Sequence, residues 1–94
     1  MSIIVHCNYY LKQDSKLQKQ AQIMREETIK EEGCIDYRFV KDFLEEDHYM
    51  MIEKWKSKED LDEHLKKPYL KVFSEYINSI SLKPFTFEVF NVTN

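Results

Sequence analysis

Glycine is almost absent from this chain: Gly33 is the only one in 94 residues. Loops that cradle phosphates or a dinucleotide need several glycines for close backbone approach, which argues strongly against a nucleotide or flavin site of that kind. A Gly-x-Ser-x-Gly elbow is missing too. Cysteine is scarce, and Cys7 and Cys34 lack the Cys-x-x-Cys spacing. In a reducing compartment both read as small buried thiols rather than a disulfide. His6, His48 and His64 show no metal-ligand spacing, so no metal is expected. Basic charge is in deficit: 14 Lys and Arg face 17 Asp and Glu, for a formal charge of −3. They form no basic face, which speaks against nucleic acid as a partner. No apolar run approaches the roughly 20 residues that span a bilayer, so no membrane partner is expected. The N-terminus lacks the pattern of a signal peptide, and a cytoplasmic location is expected.

Apolar and aromatic residues, by contrast, are plentiful. They make up 43% and 14% of the chain, more than a core this small needs, which leaves aromatics to line a pocket or an interface. Residues 1–94 read as a single domain without repeats or linkers.

Ile3–Tyr10 is β-branched and aromatic and predicts a first strand. Ser15 with Gln18 signals a capping box, and Leu17, Ala21, Met24 and Thr28 then recur at helical spacing. Gly33 is expected to end that helix as a left-handed C-cap. Strands over Ile35–Phe43 and His48–Trp55 follow, joined by the acidic hairpin Leu44–Asp47, with His48 beside it exposed. Ser57 with Asp60 predicts the cap of a second helix carrying Leu61, His64 and Leu65. Pro68 breaks it and starts a third, with an apolar stripe of Tyr69, Val72, Phe73, Tyr76 and Ile80. Pro84 opens a last strand, Phe85–Val92.

This order is α+β: a ferredoxin-like β-α-β-β-α-β fold with a four-stranded antiparallel sheet. Helices cover one sheet face only, yet apolar residues alternate onto both. Phe85, Phe87 and Val89 oppose Phe90 and Val92, and Tyr49, Met51 and Trp55 oppose Met50 and Ile52. The simplest cover for the second face is another copy, which predicts a homodimer through the open sheet face.

With cofactor loops missing, chemistry has to run on side chains between sheet and helices. His64 is the candidate catalytic base, with Asp60 four residues earlier to orient it; the alternative is a structural histidine bonded to a carbonyl. Asn8 stands mid-strand, as a substrate ligand or a strand irregularity. Trp55 walls a pocket or anchors the core. Tyr37, Phe39 and Met51 on the strands, with Tyr69, Phe73 and Tyr76 on the third helix, are candidate substrate contacts or core. Glu53, between Met51 and Trp55 on one strand face, is a carboxylate that is either buried with a partner or used. A small aromatic ligand would account for the aromatic excess.

The runs Glu32-Gly33-Cys34-Ile35-Asp36-Tyr37, Glu53 to Leu61, His64-Leu65 and Pro68-Tyr69-Leu70 resemble the antibiotic biosynthesis monooxygenase superfamily over nearly the whole chain. The resemblance implies a dimeric α+β barrel and a cofactor-independent monooxygenase that oxidises a small quinol-like aromatic with O₂. It matches His64 to the family's helix histidine and Trp55 to its strand tryptophan. Where many relatives have a second histidine after the proline, this chain has Tyr69. Asn8 matches an asparagine of the haem-degrading branch, but the axial histidine of that branch is replaced near Ser74 and its tryptophan by His64, so no haem is expected. Two other functions stay in view: an isomerase of a small polar metabolite, and a non-catalytic dimeric small-molecule-binding module.

Overall fold

Side-chain alternation along the first strand lays out the molecule. In β1 (Ser2–Leu11), Ile3, Val5, Tyr9 and Leu11 are buried, while Ile4, His6, Asn8 and Tyr10 stand half-buried on the other face. The computed structural model describes residues 1–93. After β1 come α1 (Leu17–Thr28), β2 (Cys34–Lys41), β3 (His48–Trp55), α2 (Lys58–His64), α3 (Pro68–Ile80) and β4 (Ser81–Val92). The strands form one antiparallel sheet in the order β2-β3-β1-β4. The ferredoxin-like order is present. Among the described residues, no helix is long and apolar enough to cross a membrane.

The expected barrel is not. The sheet is open, with β2 and β4 as its two edges. Four twisted strands are too few to bring those edges together into a closed wall. The edge strand β4 keeps Phe85, Phe87, Val89 and Phe90 more than two-fifths exposed.

Helices pack on the face of Val5, Met51 and Trp55. One core cluster, including Leu11, Met24, Tyr37, Met51, Phe73 and Ile77, lies against α1 and α3. A smaller one, Ile3, Val5, Trp55 and Leu61, lies under α2. Each large apolar side chain buried there stabilises the fold by about 1.5–3 kcal/mol. Cys7 and Cys34, both free thiols, pack against both clusters and mark the seam between them.

Several local expectations are corrected. Ser15 does not cap α1: Lys16 precedes the helix without a side-chain cap, and Asp14 accepts the Lys16 amide instead. The helix ends at Thr28, five residues before Gly33, and Gly33 has no positive φ. Glycine is needed there for space, because a Cβ would stand 2.1 Å from Asp60 Cγ. In α3 the buried stripe is Phe73, Ile77 and Ile80, while Val72 faces solvent and Tyr69 and Tyr76 are half-buried. Their hydroxyls hold them at the rim. β2 stops at Lys41, leaving Phe43 and Leu44 exposed, and the one described positive-φ residue, Asp47, turns the hairpin. β4 follows α3 directly, so Pro84 lies inside the strand. It sits where the β1 pairing shifts register between Lys83 and Thr86, on an edge that tolerates a missing amide. His48 is buried rather than exposed, held from both sides by Asp42 and Asn8.

Candidate active site

His64 is the last residue of α2, and the start of that helix decides where its ring goes. The Ser57 hydroxyl accepts the Asp60 amide and donates to Asp60 Oδ2 at 2.8 Å, a side-chain cap. Asp60 is thereby committed to the cap and to its packing on Gly33; it does not orient His64. That part falls to Glu31, in the α1–β2 connection. Its backbone is pinned by an amide bond to Thr28 O and by accepting the Cys34 amide. Its Oε2 stands 2.7 Å from His64 Nδ1 and also accepts the Tyr69 hydroxyl.

The His64 ring is 1% exposed and lies 4.6 Å, centroid to centroid, from the fully buried Trp55. Its other nitrogen, Nε2, is 4.0 Å from Glu53 Oε1. In the tautomer whose Nδ1–H donates to Glu31, the imidazole lone pair is on Nε2. Glu53 stands in one cross-strand row with Val5 and Tyr37, and Trp55 Nε1–H donates to its Oε1 at 2.9 Å. Burial pushes the Glu53 pKa up, against the Trp55 hydrogen bond and the His64 charge, with Glu31 adding to the rise.

Glu53 and His64 open into a cavity of about 220 Å³ at the seam between the two core clusters. Val5 and Leu61 come from one cluster, Tyr9, Tyr37, Met51 and Phe73 from the other, and Phe85, Phe87 and Val89 from the edge strand. Leu65, Leu70 and Ser74 close the helix side. Burial, then the Glu53 charge, pushes the Cys7 thiol up to about 11. Tyr9 and Tyr37 are also raised, chiefly by burial. These groups are therefore neutral near pH 7, and Cys7 is no thiolate nucleophile. A larger depression of about 570 Å³ lies over the outer α1–β2 edge, but among the described residues no buried ionisable pair opens into it. Its Asp14 accepts the Tyr76 hydroxyl and its Arg25 donates to Tyr37 O.

Residues 3–76 match the family model for antibiotic biosynthesis monooxygenase. The chain belongs to the antibiotic biosynthesis monooxygenase family. The uncharacterized protein sll1783 of Synechocystis is 30% identical over 92 residues, 96% of this chain, which spans 63% of that protein's length. A conserved protein from Methanosarcina mazei Go1 superposes with a TM-score of 0.85 at 26% identity, covering 99% of this chain and 94% of its own. SnoaB, a cofactor-independent oxygenase from Streptomyces nogalater solved as a mutant, also superposes at 0.85, with 8% identity over 99% of this chain and 94% of its own. That last likeness is one of fold.

Within this family fold, five of the residues singled out from sequence line the cavity: Tyr37, Met51, Glu53, His64 and Phe73. Trp55 stands behind them, and Tyr69 reaches Glu31. Three lie elsewhere. Phe39 stacks on Tyr49 outside the cavity, Tyr76 turns to Asp14, and Asn8 is on the opposite sheet face, bonded to His48 Nε2 at 2.8 Å. Cys7, Tyr9, Phe85 and Phe87 went unread as cavity residues, although strand parity with Val5 and Val89 carries that signal. Glu31 had no local signal. Near the hairpin, ligand atoms of Asp42, Glu45 and His48 lie within 4.8 Å of one another. Both His48 nitrogens are already engaged there.

Proposed function

We propose that this chain is a monooxygenase that oxidises a small quinol-like aromatic with O₂, with His64 as its base. The observation that carries the reading is the Glu31–His64 pair, whose imidazole lines a mostly apolar, aromatic-walled cavity with Nε2 beyond hydrogen-bond distance of Glu53. A substrate hydroxyl gives its proton to Nε2, and Glu31 balances the imidazolium at Nδ1. The aryl oxide passes one electron to O₂, and the two radicals join at a ring carbon bearing hydrogen. The peroxide then loses water. One oxygen atom stays on the ring as a quinone carbonyl; the other leaves as water with the hydroxyl and ring hydrogens. The apolar walls keep solvent from the anion.

A phosphorylated isomerase substrate finds less support, since the described cavity lining holds no Lys or Arg. Homodimerisation through the uncovered sheet face belongs to the same proposal. Ile4, Met50, Ile52 and Phe90 share that face without a helix over them. Sedimentation equilibrium tests it, and a monomer at micromolar concentration rejects it. The activity is tested by O₂ uptake with a panel of quinols and metal-free protein, wild type beside His64→Gln. Uptake above autoxidation that the variant abolishes supports the reading; no uptake with any quinol ends it.

A further inference from the structure

We propose that the cavity selects a neutral aromatic ring bearing two adjacent hydroxyls, and that Glu53 is the residue that sets this preference. The inference rests on the oxygenase reading and narrows its substrate class. Two residues that line the cavity each bring an acceptor, His64 Nε2 and Glu53 Oε1, and the two atoms are 4.0 Å apart. That is too far for them to bond each other. Each is held from behind, the imidazole by Glu31 at 2.7 Å and the carboxylate by the Trp55 indole at 2.9 Å. A carboxylate oxygen has two lone pairs, so Oε1 can accept a second hydrogen bond. Hydroxyls on neighbouring ring carbons reach both acceptors together through bonds of about 2.7–2.8 Å. Hydroxyls on opposite carbons point apart, and such a ring engages one acceptor at a time.

Charge supplies the other half of the argument. Glu53 is the one carboxylate among the described residues lining the cavity, and no Lys or Arg joins it. An acid group on the ring would come to rest beside a buried carboxylate with no cation to offset it. Burial already penalises the Glu53 charge. Cys7 and Tyr9 are neutral and supply no positive charge. Met51, Phe73 and Phe87 offer apolar surface to the ring itself.

The test is a titration under nitrogen, where turnover cannot occur, with catechol, hydroquinone and salicylate as probes. The indole N–H signal of Trp55, the only tryptophan, reports occupancy beside calorimetry. Catechol is expected to bind about tenfold more tightly than either other probe, the worth of one charge-assisted hydrogen bond. Glu53→Gln keeps an acceptor for Trp55 and is expected to shrink the catechol-over-salicylate preference severalfold. Hydroquinone or salicylate binding as tightly as catechol, ratios unchanged in Glu53→Gln, or an indole signal unmoved by every probe each overturns the proposal. A catechol preference without O₂ uptake keeps the specificity and removes the oxygenase reading alone.

Discussion

His64 and His48 each offer Nδ1 to a carboxylate, Glu31 at 2.7 Å and Asp42 at 2.9 Å. Each also lies against an aromatic ring, Trp55 at 4.6 Å and Tyr10 at 4.9 Å, and both are buried. The difference is at the second nitrogen. In His48 it is taken by Asn8, at 2.8 Å, which closes the ring into a hairpin brace. In His64 it stands 4.0 Å from Glu53 at the edge of a cavity. The two carboxylate–histidine pairs thus differ at the second nitrogen, and the proposed base role of His64 rests on that difference.

The largest expected effect breaks that comparison directly. His64→Gln should lower quinol-dependent O₂ uptake by about 10²–10⁴-fold, the range for losing a general base, with His48→Gln within about twofold of wild type. Equal losses would erase the distinction. Glu31→Gln removes the partner rather than the base. It should lower kcat by about tenfold with KM little changed, as for other groups that orient a reacting side chain. Asp42→Asn should leave kcat alone. Steady-state kinetics on the pair decide this.

Stability offers smaller effects. Gly33→Ala forces a methyl into Asp60 at the cap of α2 and should cost about 1–3 kcal/mol in urea unfolding. The smallest effects are pH-dependent and opposite in sign at the two sites. The His48 hydrogen bond, then the Leu44 and Glu45 amides, hold the Asp42 pKa down at about 2. Its stabilisation is present above the unfolded value of about 3.9 and is lost as pH falls through about 2. Asp42→Asn should therefore lower Tm at neutral pH and converge on wild type in acid. Glu53 is raised by burial, so its contribution is complete below the unfolded pKa and lost as pH rises through the folded one. Glu53→Gln should raise Tm relative to wild type, increasingly toward neutral pH. Tm measured from pH 2 to 8 on both variants checks the signs.

Much of the fold was legible because its signals are local. Alternation placed the strands, with β3 read to the residue, and Ser57 with Asp60 announced the start of α2. The same parity grouped Met51 with Glu53 on one face of β3 and Tyr37 with Phe39 on one face of β2, and helix phase turned His64 toward the sheet and put Phe73 in the apolar stripe of α3. Legibility failed where two local signals looked alike. Ser15 and Ser57 carry similar capping patterns, yet only Ser57 caps, because Asp14 takes the first amide at α1. Tyr76 shares the stripe of α3, but its hydroxyl found Asp14 and the ring stayed at the rim.

The sequence by itself determined the element order, the apolar residues on both sheet faces and the cap that starts the helix carrying His64, since period and capping act within a few residues. Tertiary structure alone decided that Glu31, 33 residues away, would hold His64, that Gly33 would be needed for room against Asp60, and that Asn8 would meet His48. It also left the sheet open. Those outcomes depend on how helices dock across strands in register, and a contact made by docking leaves no periodic trace in the chain.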